Sequence, residues 1–584
     1  MRRFHFVALV VALMALVAVL RTVHSYGFTA QGFDEPCHIA AALEWLDQHT
    51  YKTDPVHPPL ARDAIGLPLA LAGERYPNLT SDEQGKLDYN VVGDRIIYGR
   101  GHFARTLALA RSGMLPFLVL EIVLVFLWTR REFGDFAGVL AALLVSTLPT
   151  VLAFASVAYT DLPASCMQFA LLFAFALWLD QPTSASTLRL GTAAGLALLT
   201  KFTILLFFPA AAVSLIFCKW RRGGQSKSEI KLTTRQWTGR AAMAGVIAIV
   251  LLWAGYDFSV GHVRESMQLT PANMPSFQHF PGPLRSLARD MVTSDWALPA
   301  PALLQGVATA WTLNKSRPVS YMLGKTKAGG WWYFFLVAIG VKTPLPFLIL
   351  CAIGAVALLA KRGERRWQPL APAVSAIAIL VVTMGVSYDA GLRHVLIVLP
   401  LLAVVGGCGA AYLWRLPGGA RLAGRVFLSV LLLWQVITSF GAQSDFIAYF
   451  NPLAGKDPSK VLLTGCDLDC GQDLYRLAAA LRAQHVSHVY LAMWSSADLS
   501  YVGLPETEIL PPFQPVKGWV ALSQRAQRLG DVFHTTYPPH AFDWLDQYEP
   551  KEWVGKTIRL YYIPPDPTPA EAVEPGTRRD LRPE

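Results

Sequence analysis

Charged residues are scarce in this chain of 584 residues. Asp, Glu, Lys and Arg together make up 16% of it, whereas a soluble protein carries about 25%. Hydrophobic residues reach 53%, and the mean hydropathy is +0.36. This composition excludes an ordinary cytosolic enzyme and a disordered protein. Long apolar runs recur through most of the sequence and predict a polytopic membrane protein.

The sequence also lacks metal-finger cysteine spacing and repeats of the solenoid type. Its seven Cys are scattered and do not form the paired spacing of a zinc finger. The net charge of +10 lies largely in short basic clusters between apolar runs. Such clusters report membrane topology and do not form a nucleic-acid-binding stripe. We therefore expect no nucleic-acid partner.

Residues 1–440 are predicted to form a helical membrane domain. The first apolar run, from Phe4, lacks a clear signal-peptide cleavage site, so a retained span with a cytoplasmic N-terminus is the better interpretation. The stretch 190–218 should form a hairpin of two short helices with Lys201 near its outer tip, because the basic clusters before and after it should both be cytoplasmic. Roughly eleven transmembrane helices result, which puts the C-terminus outside. The other spans are expected near 107–128, 136–157, 162–179, 240–258, 331–359, 369–387, 395–414 and 425–440.

Three segments are expected outside the membrane. Residues 27–105 and 259–330 are predicted outer loops, and residues 441–565 a small extracytoplasmic α/β domain. The Pro- and charge-rich end, 566–584, is predicted to be disordered. Within the domain we expect one helix at 473–483 and short strands at 461–465, 486–492, 519–523 and 557–563.

Two adjacent acids follow the first span. Asp34 and Glu35 lie at the outer mouth of the membrane, where reduced hydration tends to raise a carboxyl pKa and suits a general base. A helix that begins at Asp34 would place His38, four residues further along the chain, on the same face as Asp34. Asp34 could equally act only as a helix N-cap.

A second acid and several cations share the predicted outer side. Asp161 begins a span, where a charge must cap, pair or bind something, and Lys201 lies in an apolar hairpin. His57 and Arg62 follow closely in HPPLAR, although Arg62 could simply extend its charged end to the membrane interface. The remaining candidates are Lys342, Arg393 and His394. Cations near acids describe a site for an anionic headgroup beside a general base.

The order of the acid pair and the motifs HPPL, TDLP, GLALLTK, VKTPLP and GLRH resembles the family 39 glycosyltransferases. These are integral membrane enzymes of the GT-C fold, related to protein O-mannosyltransferases and lipid A aminoarabinose transferases. The resemblance covers most of residues 27–475. It implies a bacterial inner-membrane enzyme with a periplasmic C-terminus. One departure is Cys470, where the pattern suggests Trp.

The resemblance implies inverting transfer of a sugar from a polyprenyl-phosphate-linked donor to an acceptor hydroxyl on protein, lipid or glycan. Asp34 would be the base, Glu35 its neighbour or substitute, and Asp161 a second acid. The donor phosphate would contact some of the cationic candidates (Arg62, Lys201, Lys342, Arg393) and the histidines His57 and His394. No aspartate-rich nucleotide-sugar loop is evident, in keeping with a lipid donor.

Other possibilities stay open from sequence. No cofactor is expected to be required and no metal site is assigned, although His38 and His57 could bind a divalent cation. Cys466 and Cys470 could form a disulfide only with a particular backbone geometry. A transporter or flippase would also place charges in membrane helices, but near the midplane between repeated halves. A membrane scaffold would not need buried charges in roughly eleven spans.

Overall fold

The computed structural model describes residues 2–79, 88–222, 233–266, 282–293, 296–360, 366–533 and 535–565. Within these ranges, six helical runs are long and apolar enough to cross a membrane, and two bent helix pairs raise the number to eight. The chain is thus a polytopic helical membrane protein. The six runs are His5–Ser25, Phe103–Phe133, Asp161–Asp180, Ile204–Arg222, Thr234–Gly255 and Ala420–Gly441.

Two predicted single spans are instead bent pairs of helices. Helices Asp135–Ser146 and Pro149–Ala155 meet at 62°, and Phe334–Lys342 and Leu345–Ala360 meet at 118°. The sharper bend contains Pro344, which cannot donate a helical hydrogen bond and keeps the preceding residue extended. Residues 331–359 therefore do not form one straight span. The shorter apolar helices are Gln368–Thr383 and Val398–Trp414, and the count of eleven spans stays a prediction.

The predicted hairpin within 190–218 is confirmed as two helices. They are Ser184–Leu198 and Ile204–Arg222, and Lys201 lies in the turn between them. At 1.5 Å per residue, the 15-residue first helix extends only about 22 Å, less than a bilayer core of about 30 Å. Lys201 therefore follows a helix that is shorter than the bilayer core, as the sequence predicts. The side of the membrane on which it lies stays a prediction.

The predicted outer loop 27–105 contains regular structure. Its helices are Glu35–Gln48, Pro59–Leu71 and Tyr89–Tyr98, and a further helix, Phe103–Ser112, begins near its end. Gly93 packs directly on the first of them, since a Cβ there would lie 2.1 Å from the Pro36 carbonyl oxygen. This close contact brings the third helix against the segment that carries Asp34.

The predicted outer loop 259–330 is described in part. Strand Val260–His262 pairs antiparallel with Ala297–Pro299, and strands Val319–Met322 and Lys325–Ala328 form a hairpin. Its helices are Val263–Ser266, Gly282–Thr293 and Pro301–Lys315.

The C-terminal region contains a mixed sheet of five strands. In spatial order these are Glu552–Val554, Ile558–Ile563, Gly518–Ser523, His488–Ala492 and Glu506–Ile509. The first three pair antiparallel and the last three parallel. Helix Leu474–Ala483 and the strand predictions at 486–492, 519–523 and 557–563 are thereby confirmed. The smaller elements are helix Gln524–Leu529 and the strand pair Asp531–Val532 and Thr535–Thr536. The predicted disordered end, 566–584, lies outside the described residues.

The strand predicted at 461–465 is wrong. A 3-10 turn, Pro458–Lys460, precedes it, and Gly465 ends it at a φ of +60°. Only Leu462 forms a single bridge, to Met322. The apolar side chains of 461–465 pack in the core beneath the hairpin 319–328 without pairing as a strand. The hydrophobic run therefore indicates that the segment is buried, not that it is a strand.

Candidate functional site

Asp34 precedes the helix Glu35–Gln48 as its N-cap, but its side chain makes no capping hydrogen bond. Instead, its Oδ2 accepts a hydrogen bond of 2.6 Å from Nη1 of Arg393. The backbone N–H of Asp34 donates to the Tyr159 hydroxyl at 3.0 Å. The Asp34 side chain keeps 30% of its surface exposed. Arg393 therefore holds the carboxylate and Tyr159 the backbone of Asp34, while the side chain remains partly accessible to a reactant.

Arg393 connects Asp34 to a second carboxylate. Its Nη1 lies 4.0 Å from Oδ2 of Asp161, while Oδ1 of Asp161 accepts a 2.6 Å hydrogen bond from Nζ of Lys201. The side chains of Asp161, Lys201 and Arg393 are 3%, 12% and 15% exposed. The structure thus brings four of the predicted site residues into one chain of alternating charge, although they are far apart in sequence.

Two polar atoms beside this charge chain lack protein partners. Nε of Arg393 and Nε2 of His394 are buried with no hydrogen-bond partner among the residues that the structure describes. Burial, with Lys201 and Arg393 close by, holds the pKa of His394 well below its ordinary value. His394 is therefore neutral at pH 7. Unpaired buried polar atoms are costly, so they mark a place where a ligand can supply the missing contacts.

Asp34 remains ionised in this environment. Burial disfavours its charged form, but the positive charges of Arg393 and His38 outweigh that effect and hold the pKa of the Asp34 carboxyl below its usual value. His38 lies one helical turn away, as predicted, and its N–H bonds the Asp34 carbonyl at 3.1 Å. The raised pKa expected from the sequence is therefore not found, because Arg393 lies close enough to outweigh the effect of burial.

The turn that carries Arg393 is fixed by Asp467, which sequence reasoning did not single out. Oδ1 of Asp467 accepts a hydrogen bond of 2.9 Å from the N–H of Leu392. Gly391 adopts a φ of +99°, and a Cβ there would lie 3.1 Å from the Asp467 carboxylate. Only glycine lets the turn approach so closely without strain. The segment 466–470 therefore positions Arg393.

Lys342 does not reach this cluster through its charged end. Its side chain is buried, and Nζ donates to the carbonyl oxygens of Ile447 and Asp467 and lies 4.4 Å from the ring centroid of Phe450. These contacts leave it as a positioning residue for the segment after the last long helix. Its assignment as a phosphate-binding residue therefore stays a prediction.

Glu35 is also a positioning residue. It is fully buried and forms a two-pronged ion pair with Arg111, with distances of 2.8 and 2.7 Å. Its carboxylate also accepts the backbone N–H groups of Gly32 and Ala158. Because all this capacity is used, Glu35 holds the surrounding structure together, and its expected role as neighbour or substitute of the base stays a prediction. Sequence reasoning did not single out Arg111, because no residue near it in the chain indicates that it pairs with Glu35.

Arg62 is buried among backbone carbonyls. Its guanidinium donates to the carbonyl oxygens of Thr53, Asp54 and His57, and it lies 3.9 Å from the ring centroid of Tyr51. Only 1% of the residue is exposed. Arg62 therefore fixes the segment 53–57, and its burial contradicts a charged end extended to the membrane interface. Its expected role at the donor phosphate stays a prediction.

His57 belongs to a cluster with His38 and Asp54. Oδ2 of Asp54 lies 2.7 Å from Nδ1 of His57 and 3.2 Å from Nδ1 of His38. Burial lowers the pKa of His57, although Asp54 opposes this effect. One ligand atom from each residue lies within 4.8 Å of the others. Two imidazoles and a carboxylate suit zinc or a similar cation, but the same contacts also satisfy Asp54 without one.

Asp54 and Tyr159 are further site residues that sequence reasoning missed. Asp54 lies three residues before His57 in TDPVHPP, a spacing that could have indicated the pair. The Tyr159 hydroxyl lies 3.5 and 3.2 Å from Sγ of Cys466 and Cys470. These two cysteines form a disulfide, so the possible pairing is confirmed. The disulfide segment thus contacts the residue that supports Asp34.

Comparison with known proteins identifies one matching family model. Residues 110–253, about a quarter of the chain, match the dolichyl-phosphate-mannose-protein mannosyltransferase family. No curated protein sequence matches the chain. The matched segment includes Asp161 and Lys201 and supports a membrane glycosyltransferase.

Comparison with solved structures finds several matches at low sequence identity. The S. cerevisiae Pmt1-Pmt2 complex bound to the sugar donor is 11% identical, with a TM-score of 0.51, over 75% of this chain and 90% of that chain. ArnT from Cupriavidus metallidurans in the apo state is 14% identical, with a TM-score of 0.47, over 85% and 84%. AglB from Archaeoglobus fulgidus is 11% identical, with a TM-score of 0.48, over 90% and 70%.

At these identities the likeness to the yeast complex concerns the fold alone. It agrees with the GT-C architecture expected from the motifs, and the family match agrees with the expected relation to O-mannosyltransferases. The predicted resemblance is thereby confirmed. The chain is a polytopic helical membrane protein that resembles the dolichyl-phosphate-mannose-protein mannosyltransferases, in sequence over residues 110–253 and in its fold.

Proposed function

We propose that this protein transfers a sugar from a polyprenyl-phosphate-linked donor to an acceptor hydroxyl on the periplasmic face of a bacterial inner membrane. One observation carries the proposal: the exposed carboxylate of Asp34 lies 2.6 Å from a guanidinium whose Nε has no partner among the described residues. A base and an unfilled anion site thus share one arginine. The family match over residues 110–253 supports the same reaction class.

In this reaction Asp34 removes the proton of the acceptor hydroxyl. The acceptor oxygen bonds to the anomeric carbon, the bond from that carbon to the phosphate oxygen breaks, and the configuration inverts. The electron pair leaves with the phosphate, and the proton stays on Asp34. Arg393 offers Nε to the departing phosphate, where a cation stabilises the developing negative charge. No nucleotide site is needed, because the leaving group is a phosphate monoester.

Arg393 also links the two halves of the reaction. While it pairs with Asp34, it lowers the proton affinity of that carboxylate. A phosphate that draws Arg393 toward itself weakens this pairing and makes Asp34 a stronger base. Donor binding thereby prepares Asp34 to accept a proton. Asp161 and Lys201 hold Arg393 from the other side, and His394 contributes its unpartnered Nε2 to the same region.

The experiment compares polyprenyl-phosphate sugars by mass spectrometry in host membranes that contain the wild type or Asp34→Asn. We expect one lipid-linked sugar to accumulate only with the variant, at equal protein abundance. Identical lipid profiles would count against transfer and favour a transporter or scaffold.

A further inference from the structure

A polar cleft lies beside the proposed reaction centre. It forms between the helix Tyr89–Tyr98 and the loop that follows the strand His488–Ala492. Its volume of about 500 Å³ falls in the range of small-molecule sites. The charged lining residues are Asp94, Arg95 and Asp498, and Ser495, Ser496 and Tyr501 add hydroxyl groups. The cleft thus has one wall from the membrane domain and one from the C-terminal region.

Two stacked tyrosines give the cleft an aromatic platform. The rings of Tyr98 and Tyr501 lie 4.9 Å apart with an angle of 16° between their planes. Tyr98 is 3% exposed, whereas Tyr501 is 45% exposed. Tyr98 therefore supports one face of the Tyr501 ring. The Tyr98 hydroxyl is itself buried, so Tyr501 supplies the accessible ring of the platform.

The polar wall of the cleft connects directly to the Asp34 segment. Nε2 of Gln31 donates to Oδ1 of Asp94 at 3.0 Å and to Oγ of Ser496 at 3.2 Å. Ser496 in turn donates to the carbonyl oxygen of Phe33 at 2.8 Å. Gln31 and Asp34 are three residues apart, so their Cα atoms are separated by about 11 Å at most. One short segment, 31–34, therefore carries both the base and a residue bonded to the wall of the cleft.

The chemistry of the cleft fits a neutral carbohydrate chain. Pyranose rings present an apolar C–H face that packs on an aromatic ring, and hydroxyls around their edge that bond carboxylates and hydroxyls. Tyr501 supplies the ring, while Asp94 and the serines supply the polar partners. A lipid tail would leave these carboxylates without water or partners. A cationic peptide would also meet the positive charge of Arg95 in the same lining.

We propose that this cleft binds a neutral glycan portion of the acceptor, with Tyr501 as its stacking platform. This inference rests on the proposed transferase function and narrows its acceptor from protein, lipid or glycan to a glycan. The C-terminal region then selects the acceptor, while the membrane domain binds the donor. The reacting hydroxyl is presented to Asp34 by the sugar units held in the cleft.

The test measures the binding of four trisaccharides to the full chain in nanodiscs, by saturation-transfer NMR and titration calorimetry. The trisaccharides are maltotriose, cellotriose, chitotriose and mannotriose. We expect at least one trisaccharide to bind, Tyr501→Ala to weaken binding about tenfold, and Asp498→Asn to weaken it less. Tyr562→Ala is the matched control, because Tyr562 is 42% exposed on the sheet of the same region. Asp34→Asn should also bind normally.

Three outcomes would overturn the inference: no trisaccharide binds the wild type, Tyr501→Ala binds as well as the wild type, or only a lysine-containing Ser/Thr peptide competes for the cleft. Slow release of sugar from the lipid donor to water is measured in parallel without acceptor. If the wild type releases no sugar from the lipid donor, the transferase function is refuted, even if trisaccharides bind. Its retention in Tyr501→Ala, with transfer to the trisaccharide lost, would support both proposals.

Discussion

Asp34 and Glu35 are consecutive, yet each carboxylate binds a different arginine: Arg393 at 2.6 Å and Arg111 at 2.7 Å. The first pair keeps 30% of its carboxylate exposed, while the second is fully buried. Adjacent acids with the same charge therefore have different tasks. One is available for reaction, and the other holds the structure together.

Substitution of these two acids should separate activity from stability. We expect Asp34→Asn to lower turnover by about 10²-fold or more, the usual contribution of a general base, at an unchanged melting temperature. Glu35→Gln should destabilise the protein by about 3–5 kcal/mol, because it leaves Arg111 buried without its counterion. Thermal unfolding in detergent and a transfer assay distinguish them. Equal loss of stability in both variants would contradict the assignment.

Two buried arginines provide a second contrast. Arg393→Lys keeps the charge but removes the planar fork, so we expect kcat/KM for the donor to fall about tenfold or more. Arg62→Lys should instead lower the melting temperature and leave KM for the donor unchanged, since Arg62 contacts backbone carbonyls. Donor titrations at a temperature where both variants are folded make the comparison. A raised KM in Arg62→Lys at normal stability would restore it as a phosphate ligand.

Asp161 and Lys201 should act as one unit. Their 2.6 Å contact predicts that Asp161→Asn and Lys201→Met each reduce transfer strongly, while the double variant loses less than the product of the two. The reason is that either single change leaves its partner's buried charge uncompensated. A double-mutant cycle on kcat/KM measures this coupling. Strictly multiplicative losses would show that the pair does not act through its ion pair.

Chelation tests the cluster of His38, Asp54 and His57. Because Asp54 accepts a hydrogen bond from each imidazole, we expect the cluster to stay intact and transfer to continue after treatment with EDTA. Metal content is measured by mass spectrometry before and after chelation. Activity that disappears and returns with zinc, but not in His57→Ala, would instead identify a required cation.

Asp94 gives a prediction for pH. Burial raises its pKa to about 7, with Asp498 and Asp88 adding to the shift and Gln31 opposing it. A carboxyl with a raised folded pKa stabilises the fold below its unfolded pKa, and that contribution is lost as pH rises through about 7. We therefore expect the melting temperature of the wild type to fall by about 2 °C or more relative to Asp94→Asn between pH 5.5 and 8. Parallel curves for the two proteins would refute this pKa.

Local sequence patterns predicted the parts of the site that depend on local geometry. The spacing of Asp34 and His38 follows from one helical turn. The position of Lys201 follows from the length of the apolar stretch 190–218, which allows only two short helices with Lys201 between them. Hydrophobic periodicity also found three of the sheet's strands. It failed at 461–465, because an apolar run there is buried without a neighbouring strand to pair with.

Partners of buried charges could not be predicted in the same way. Glu35 and Arg111 are 76 residues apart, and Lys342 binds carbonyls 105 and 125 residues downstream. Backbone carbonyls carry no sequence signature, so Lys342 and Arg62 resembled ligand-binding cations. The sequence indicated that Lys342 and Arg62 need partners, but not whether those partners are a ligand or the backbone.

The contacts of Lys342 and Leu392 with the segment 447–467 also determine when the site can assemble during synthesis. The turn that presents Arg393 reaches its final position only when Asp467 is available to bind it. During synthesis, a ribosome must therefore translate well beyond the last long helix, Ala420–Gly441, before the reaction centre can assemble. A nascent chain halted at that helix would lack the contact that fixes the turn of Arg393.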